Sequence, residues 1–378
     1  MSASPKQVPT NSSGPVGLEK TASNNRYVPA QQSAAENRLY TYVTVEELVQ
    51  QIKESADLLL QDKADRGDVK ILATTIRELR HALALFARYR HRRKVTIFGS
   101  ARTSRDTPVY QAAVTFARKM VELGYMVITG AASGIMEAGH VGAGKENSLG
   151  INIRLPFEQA ANPIIADDDQ RLVNFKYFFT RKLMFAKEAS AVALFPGGFG
   201  TLDEGFEVLT LVQTGKSHMF PIVLIDEPGG DYWRAFDKFI REMLLARNYI
   251  SPQDLALYKI TDNVDEAVAE IRQFYRVYHS MRYVGRKHHL VLRLRTPLPP
   301  ELIERLRYEF ADIVAGDTFE LVGPDPEETN DSHLAMLPRL RFQFDRRSLG
   351  RLRQLIDFIN REAPDPIYPD ILPSVPPL

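Results

Sequence analysis

The chain has 378 residues, 44% of them hydrophobic and 25% charged, a formal net charge of +1 and no cysteine. That length supports one substantial core and a smaller unit, and the even charge gives no global reason to expect nucleic acid or an anionic membrane as partner. The missing thiols exclude disulfides, thiolate metal sites and cysteine nucleophiles; no apolar run approaches a membrane span and no apolar signal-peptide core follows Met1, so a soluble, cytoplasmic protein is expected.

Residues 1–37 are rich in Ser, Pro, Asn, Gln and Ala and read as a disordered tail. A helical preamble follows over 38–94: apolar residues recur at helical spacing in Val45–Leu60 and again in Val69–Tyr89. The run His91-Arg92-Arg93-Lys94 reads as a solvated link into the first strand, with a phosphate-backbone patch as the other reading.

Val95–Phe98 predicts a short buried strand, followed by the turn Gly99-Ser100-Ala101-Arg102. Thr107-Pro108 reads as an N-cap and first helical residue of a helix that stops at Gly124. Met126–Thr129 is the next strand, and Gly130 through Gly134-Ile135-Met136-Glu137 is again a glycine turn entering a helix. Two strand–glycine–helix units in succession predict a doubly wound, Rossmann-like parallel sheet, with its ligand crevice at the C-terminal ends of the strands. Gly150–Leu155 reads as a further strand, Asn162–Val173 as an acidic loop over the pocket, and Phe175–Glu188 as a helix carrying Arg181 and Lys182. Ala191–Phe195 then leads into Pro196-Gly197-Gly198-Phe199-Gly200-Thr201-Leu202-Asp203-Glu204, with a helix expected from Leu202 to Thr214. Phe220–Ile225, Asp231–Leu245 and Asp262–Tyr275 complete the domain, placed at 95–285. A small α/β domain of order β-α-β-β-α is expected over 286–363, and a Pro-rich tail over 364–378.

The glycines of Pro196–Thr201 let the backbone turn tightly and approach a ligand, and the helix start after them suits a phosphate. No segment carries the dinucleotide fingerprint or the phosphate-loop pattern ending in Gly-Lys-Ser/Thr, so a nucleoside monophosphate or phosphosugar fits better than NAD or ATP. Glu204 could orient water and stabilise positive charge developing on a ribose; as an acid in a first helical turn it could equally be a dipole partner. Asp203 reads as such a partner. Arg181 could hold a phosphate or ribose oxygen, or be an ordinary surface arginine. His140, His288 and His289 form no recognisable zinc pattern, and His140 reads as a local packing or capping residue.

The stretch Pro196–Glu204 matches PGGxGTxxE without a gap, Arg181-Lys182 supplies an Arg-Lys pair on the preceding helix, and Phe98-Gly99-Ser100 and Gly130–Glu137 supply the two earlier turns. In these marks, over about residues 95–275, the chain resembles the LOG ("lonely guy") family, often labelled lysine decarboxylases. The resemblance implies hydrolysis of the N-glycosidic bond of a nucleoside 5′-monophosphate to free base and ribose 5-phosphate, with no cofactor. It implies Arg181 and Glu204 as the catalytic residues. Gly197, Gly198, Phe199, Gly200 and Thr201 would cradle the phosphate, and Gly99, Ser100, Arg102, Gly130, Gly134, Met136 and Lys182 would line the nucleotide. It also implies a homodimer or larger homo-oligomer, and leaves room for a small-molecule effector.

Two positions depart from the short cytokinin-activating members: Phe179 stands where they carry histidine, and Glu137 where they carry glycine. The version Gly-Ile-Met-Glu-Ala is closer to the longer bacterial members and favours AMP-like substrates over cytokinin riboside 5′-monophosphates. A decarboxylase would need a Schiff-base lysine with pyridoxal phosphate, and nothing organises Lys182 for that. The alternative to an enzyme is a non-catalytic nucleotide or cofactor carrier or sensor, resting on the same glycine turns. Arg346-Arg347 with Arg351 and Arg353 prompts a third, weaker reading, DNA engagement.

Overall fold

The computed structural model describes residues 44–154, 161–285, 289–325 and 334–370. The tail over 1–37, His288, most of the link at 323–333 and the end of the Pro-rich tail lie outside them. Contacts divide the chain at Val69 and Lys70. Ahead of that division lies α1 (Val45–Gln61), opened by a capping box in which Thr44 and Glu47 satisfy each other's backbone N–H.

From Lys70 onward the chain forms one unit. The helix α2 (Arg66–Ala87) runs into it. Then follow β1 (Lys94–Phe98), α3 (Pro108–Glu122), β2 (Met126–Thr129), α4 (Ile135–Ala143), β3 (Ser148–Ile153), β4 (Leu172–Phe175) and α5 (Phe178–Glu188). Next come β5 (Ala191–Leu194), α6 (Phe199–Gln213), β6 (Ile222–Ile225), α7 (Tyr232–Phe239), β7 (Tyr258–Thr261) and α8 (Val264–Phe274). The C-terminal part comprises β8 (Tyr278–Val284), β9 (His289–Leu294), α9 (Pro300–Glu309), β10 (Glu320–Val322), β11 (Arg339–Phe342) and α10 (Leu349–Glu362).

The seven strands β1 to β7 form a parallel sheet of order β4-β3-β2-β1-β5-β6-β7. The chain moves outward from β1 to β4, then returns to the other side of β1 to start β5. This is the α/β Rossmann-like arrangement expected, and its switch point lies between β1 and β5. The central strands are buried on both faces, as their unbroken apolar runs demand.

Several expectations are corrected. The stretch 162–173 is not a loop over the pocket: Asn162 is buried and bonded to the carbonyl of Ala131, and Leu172–Val173 already belong to β4. The basic run is not a solvated link, because Arg93 and Lys94 are 8% and 2% exposed. Tyr278–Val284, expected in the first domain, pairs antiparallel with β9 in a second sheet of order β10-β11-β9-β8. The small unit thus has an extra strand, and the expected border after 285 cuts a hairpin. Its interior is also continuous with the first sheet's: Leu224 and Phe274 belong to the same apolar core as Leu292, Leu340 and Ile356. Among the described residues, no helix is long and apolar enough to cross a membrane.

Candidate active site

A cleft of about 760 Å³ opens at the switch point. The end of β1 contributes Phe98, Gly99, Ser100, Ala101 and Arg102; β2 and α4 contribute Gly130 and Met136; α5 contributes Arg181 and Phe185. The β5–α6 turn contributes Gly197, Gly198, Phe199, Gly200, Thr201 and Leu202, with Glu204 behind them.

The turn is built by close backbone approach. A Cβ on Gly197 would lie 2.1 Å from Thr201 Oγ1 and 2.9 Å from Ser100 N, so only glycine fits. Ser100 N donates to Pro196 O at 3.1 Å, tying the β1 turn to the β5 turn. The Tyr232 hydroxyl donates to Gly197 O at 2.6 Å. Helix α6 starts at Phe199, three residues before the expected Leu202, and no side chain caps it. Its open end therefore presents backbone donors to the cleft. The earlier start also moves Asp203 and Glu204 out of the first turn, which holds no acid. The dipole fades within that turn, so Glu204 needs another reason to be there.

That reason is visible in its surroundings. Glu204 is 4% exposed, and Arg181 Nη2 donates to its Oε1 at 3.1 Å. Burial pushes the Glu204 carboxyl above the usual carboxylate range, against the pull of Arg181 and Lys182. Burial also lowers Arg181, with Glu204 opposing, but a guanidinium stays charged at any physiological pH. The buried Arg181 Nε has no hydrogen-bond partner among the described residues. The helix that carries Arg181 is anchored from α2: Glu78 accepts from Lys176 N at 2.7 Å and from Thr180 Oγ1 at 2.8 Å.

Lys182 does not line the cleft. Its ammonium lies 2.6 Å from Glu207, 2.9 Å from Asp203 and 3.9 Å from Glu204. Burial alone would lower it, but the hydrogen bonds to Asp203 and Glu207 outweigh that and hold it above its ordinary range. A Schiff-base lysine needs the opposite.

Gly134 does not line the cleft either. It has φ +63°, and a Cβ there would sit 2.3 Å from Ser100 O. Ile135 N donates to that same oxygen at 3.0 Å, so Gly134 locks two turns together. Gly130 leaves room for Met136 Sδ, which a Cβ would meet at 2.8 Å. A second pin lies beneath. His140 is fully buried; its Nε2 lies 3.2 Å from Leu149 O and 3.1 Å from Thr129 Oγ1, and Asn162 Nδ2 reaches its Nδ1 at 3.0 Å. This is the local packing role expected of it. Burial holds the imidazole down at about 4, against an ordinary 6.5. The unfolded chain therefore takes up the proton first as pH falls. Stability should be full above pH 6.5 and drain away toward pH 4, by about 3 kcal/mol in all. Urea unfolding over that range measures it, and His140→Gln should flatten the slope.

Sequence reasoning missed Phe98, Ala101, Phe185 and Leu202 in the cleft wall. Phe185 was legible in principle: it stands four residues after Arg181 on one helix face, packs edge-on against Phe98 at 4.8 Å and lies 5.6 Å from the guanidinium. Of the four arginines that suggested DNA, Arg353 is buried and ion-paired with Glu270 and Asp357, and Arg351 pairs with Asp312.

A family model described as "possible lysine decarboxylase" matches residues 128–271. The cytokinin riboside 5′-monophosphate phosphoribohydrolase LOG2 of Arabidopsis thaliana is 28% identical over 142 residues, 36% of this chain and 64% of that one. That stretch is under two thirds of the relative's length. LOG7 of the same plant is 25% identical over 48% of this chain and 82% of its own. The enzyme of that name from Mycobacterium tuberculosis is 33% identical over 28% of this chain and 54% of its own. Among solved structures, the molybdenum cofactor carrier protein of Chlamydomonas reinhardtii is 19% identical with a TM-score of 0.33, covering 48% of this chain and 97% of that one. With the unbroken Pro196–Glu204 turn, these sequence matches support, at low identity, a likeness to the LOG family.

Proposed function

We propose that the protein is a phosphoribohydrolase that cleaves the N-glycosidic bond of nucleoside 5′-monophosphates, acting in the cytoplasm as a homo-oligomer. The observation that carries this reading is the buried Arg181–Glu204 pair, at 3.1 Å, beside an uncapped helix start. The 5′-phosphate takes the open end of α6, against Gly198 to Thr201. Glu204 lies five residues after Phe199, roughly 7.5 Å along the axis, and its side chain leans back toward the helix start. That is about the span from a 5′-phosphate to the far side of its ribose.

As the C1′–N bond lengthens, its electron pair leaves with the base and positive charge builds on the ribose. The Glu204 carboxylate stabilises that charge and takes the proton of the water that attacks C1′; the departing base is protonated in turn. Arg181 holds the carboxylate in place, and its Nε is left to donate to a substrate oxygen.

AMP is placed ahead of cytokinin riboside 5′-monophosphates, on the Gly-Ile-Met-Glu-Ala version of the second turn. The two departing residues act at a distance at most: Phe179 stacks on Tyr177 at 5.5 Å, Glu137 is tied to Arg105, and neither lines the cleft. Self-association is supported by Phe178, Phe179 and Leu183, which leave a half-exposed apolar face on α5. The test is base release, followed by chromatography, from AMP, GMP, CMP, UMP and a cytokinin riboside 5′-monophosphate. Release from at least one is expected. Nucleotide retained without turnover at any pH would overturn the reading in favour of a non-catalytic carrier.

A further inference from the structure

A second cavity lies at the opposite end of the parallel sheet, where β1 and β5 begin. It measures about 50 Å³ and is lined by the cations Arg90, Arg92, Arg93, Lys94 and Lys187, with the carboxylate Glu188. Arg93 and Lys94 are buried, while Arg90, Arg92 and Lys187 are half-buried and form its mouth.

The charges do not balance. Glu188 is shared between Lys94 at 3.3 Å and Lys187 at 2.9 Å. Arg93 has Asp370 at 2.6 Å. Among the described residues, the Arg90 guanidinium bonds only Ala87 O, and that of Arg92 only Gly124 O, Tyr125 O and Asn147 Oδ1. Among the described residues, five cations thus meet two carboxylates, with two of the five buried and three half-buried. Lys94 feels the excess: burial pushes its ammonium below the ordinary range, Glu188 pulls it back, and Lys187 and Arg92 push it down further. Proteins seldom bury like charges without a counterion. A space of this size holds about four waters, which carry no charge, or one tetrahedral oxyanion, which does.

We propose that this cavity binds one phosphate-class oxyanion, gripped by Arg90, Arg92 and Lys187 at the mouth and Lys94 on the floor. It is too small for a nucleoside. The ligand is therefore free orthophosphate or the terminal phosphate of a larger anion whose remainder stays outside. The site is separate from the cleft and does not depend on the reaction assigned to it.

Calorimetric titration of the full chain with orthophosphate, at low salt, tests this. Thr201→Ala weakens phosphate binding in the cleft, so a phosphate site that persists in this variant is expected. Among the described residues the Arg90 side chain hydrogen-bonds only the carbonyl of Ala87, at the end of α2, so Arg90→Ala should leave the fold intact and raise that site's Kd about tenfold. Lys187→Gln should act in the same direction. Tripolyphosphate binding more tightly than orthophosphate identifies a terminal phosphate as the ligand, and equal or weaker binding identifies the free ion. Loss of all phosphate binding in Thr201→Ala overturns the proposal, as does a Kd unmoved by both Arg90→Ala and Lys187→Gln.

Discussion

Glu204→Gln lowers base release by roughly 10³-fold, the scale of a lost general base, and leaves nucleotide binding within about threefold. Glutamine keeps the shape and the acceptor that Arg181 uses at 3.1 Å. It removes the negative charge and the ability to take a proton. The effect should therefore fall on kcat and spare the affinity for ribose 5-phosphate, which calorimetry reads separately. The wild-type pH profile carries the same signature. Because burial raises the Glu204 carboxyl and the reaction needs it ionised, lowering the pH should cut activity sooner, at a higher pH than that at which an exposed glutamate protonates. A variant retaining more than a tenth of the wild-type rate would remove Glu204 from the chemistry.

Gly134→Ala destabilises the fold by about 3 kcal/mol, from left-handed strain and overpacking together. The alanine methyl would lie 2.3 Å from Ser100 O and 2.7 Å from the Ala101 carbonyl carbon, both backbone atoms that cannot rotate away. Thermal unfolding should show a Tm several degrees lower. Base release should fall too, because Ser100 and Ala101 line the cleft. Gly198→Ala is the contrast: an added Cβ there meets nothing within 4 Å, so the melting point should hold. An unchanged Tm for Gly134→Ala would mean that the two turns are not locked.

Strands β1, β2, β5 and β6 were legible because both faces are covered and their sequences are almost unbroken apolar runs. The strands that escaped notice are the two edges of the sheet. Leu172–Phe175 is interrupted by exposed Asn174, and Tyr258–Thr261 has only Thr261 buried, so neither has a clear period. Strand β8 was hidden by His279 and Ser280, polar residues that are nonetheless buried. The glycine turn was plain at once. The start of its helix was not, because Gly198 and Gly200 argue against helix by propensity, while backbone approach around Gly197 sets the start at Phe199. That shift takes Glu204 out of the first turn, where a dipole partner would stand, and no spacing argument could reach it. Nor could spacing reveal the Arg181–Glu204 contact, which joins residues from two helices.

The carboxylate of Glu78 gives α5 a mechanical neighbour. It grips Lys176 N and Thr180 Oγ1, immediately ahead of Arg181. Arg181 is thus in series with α2, an element that contributes no strand to the sheet and no wall to the cleft. Whatever turns or draws back α2 also loosens the footing of the arginine, and the grip on Glu204 becomes adjustable from outside the nucleotide's reach.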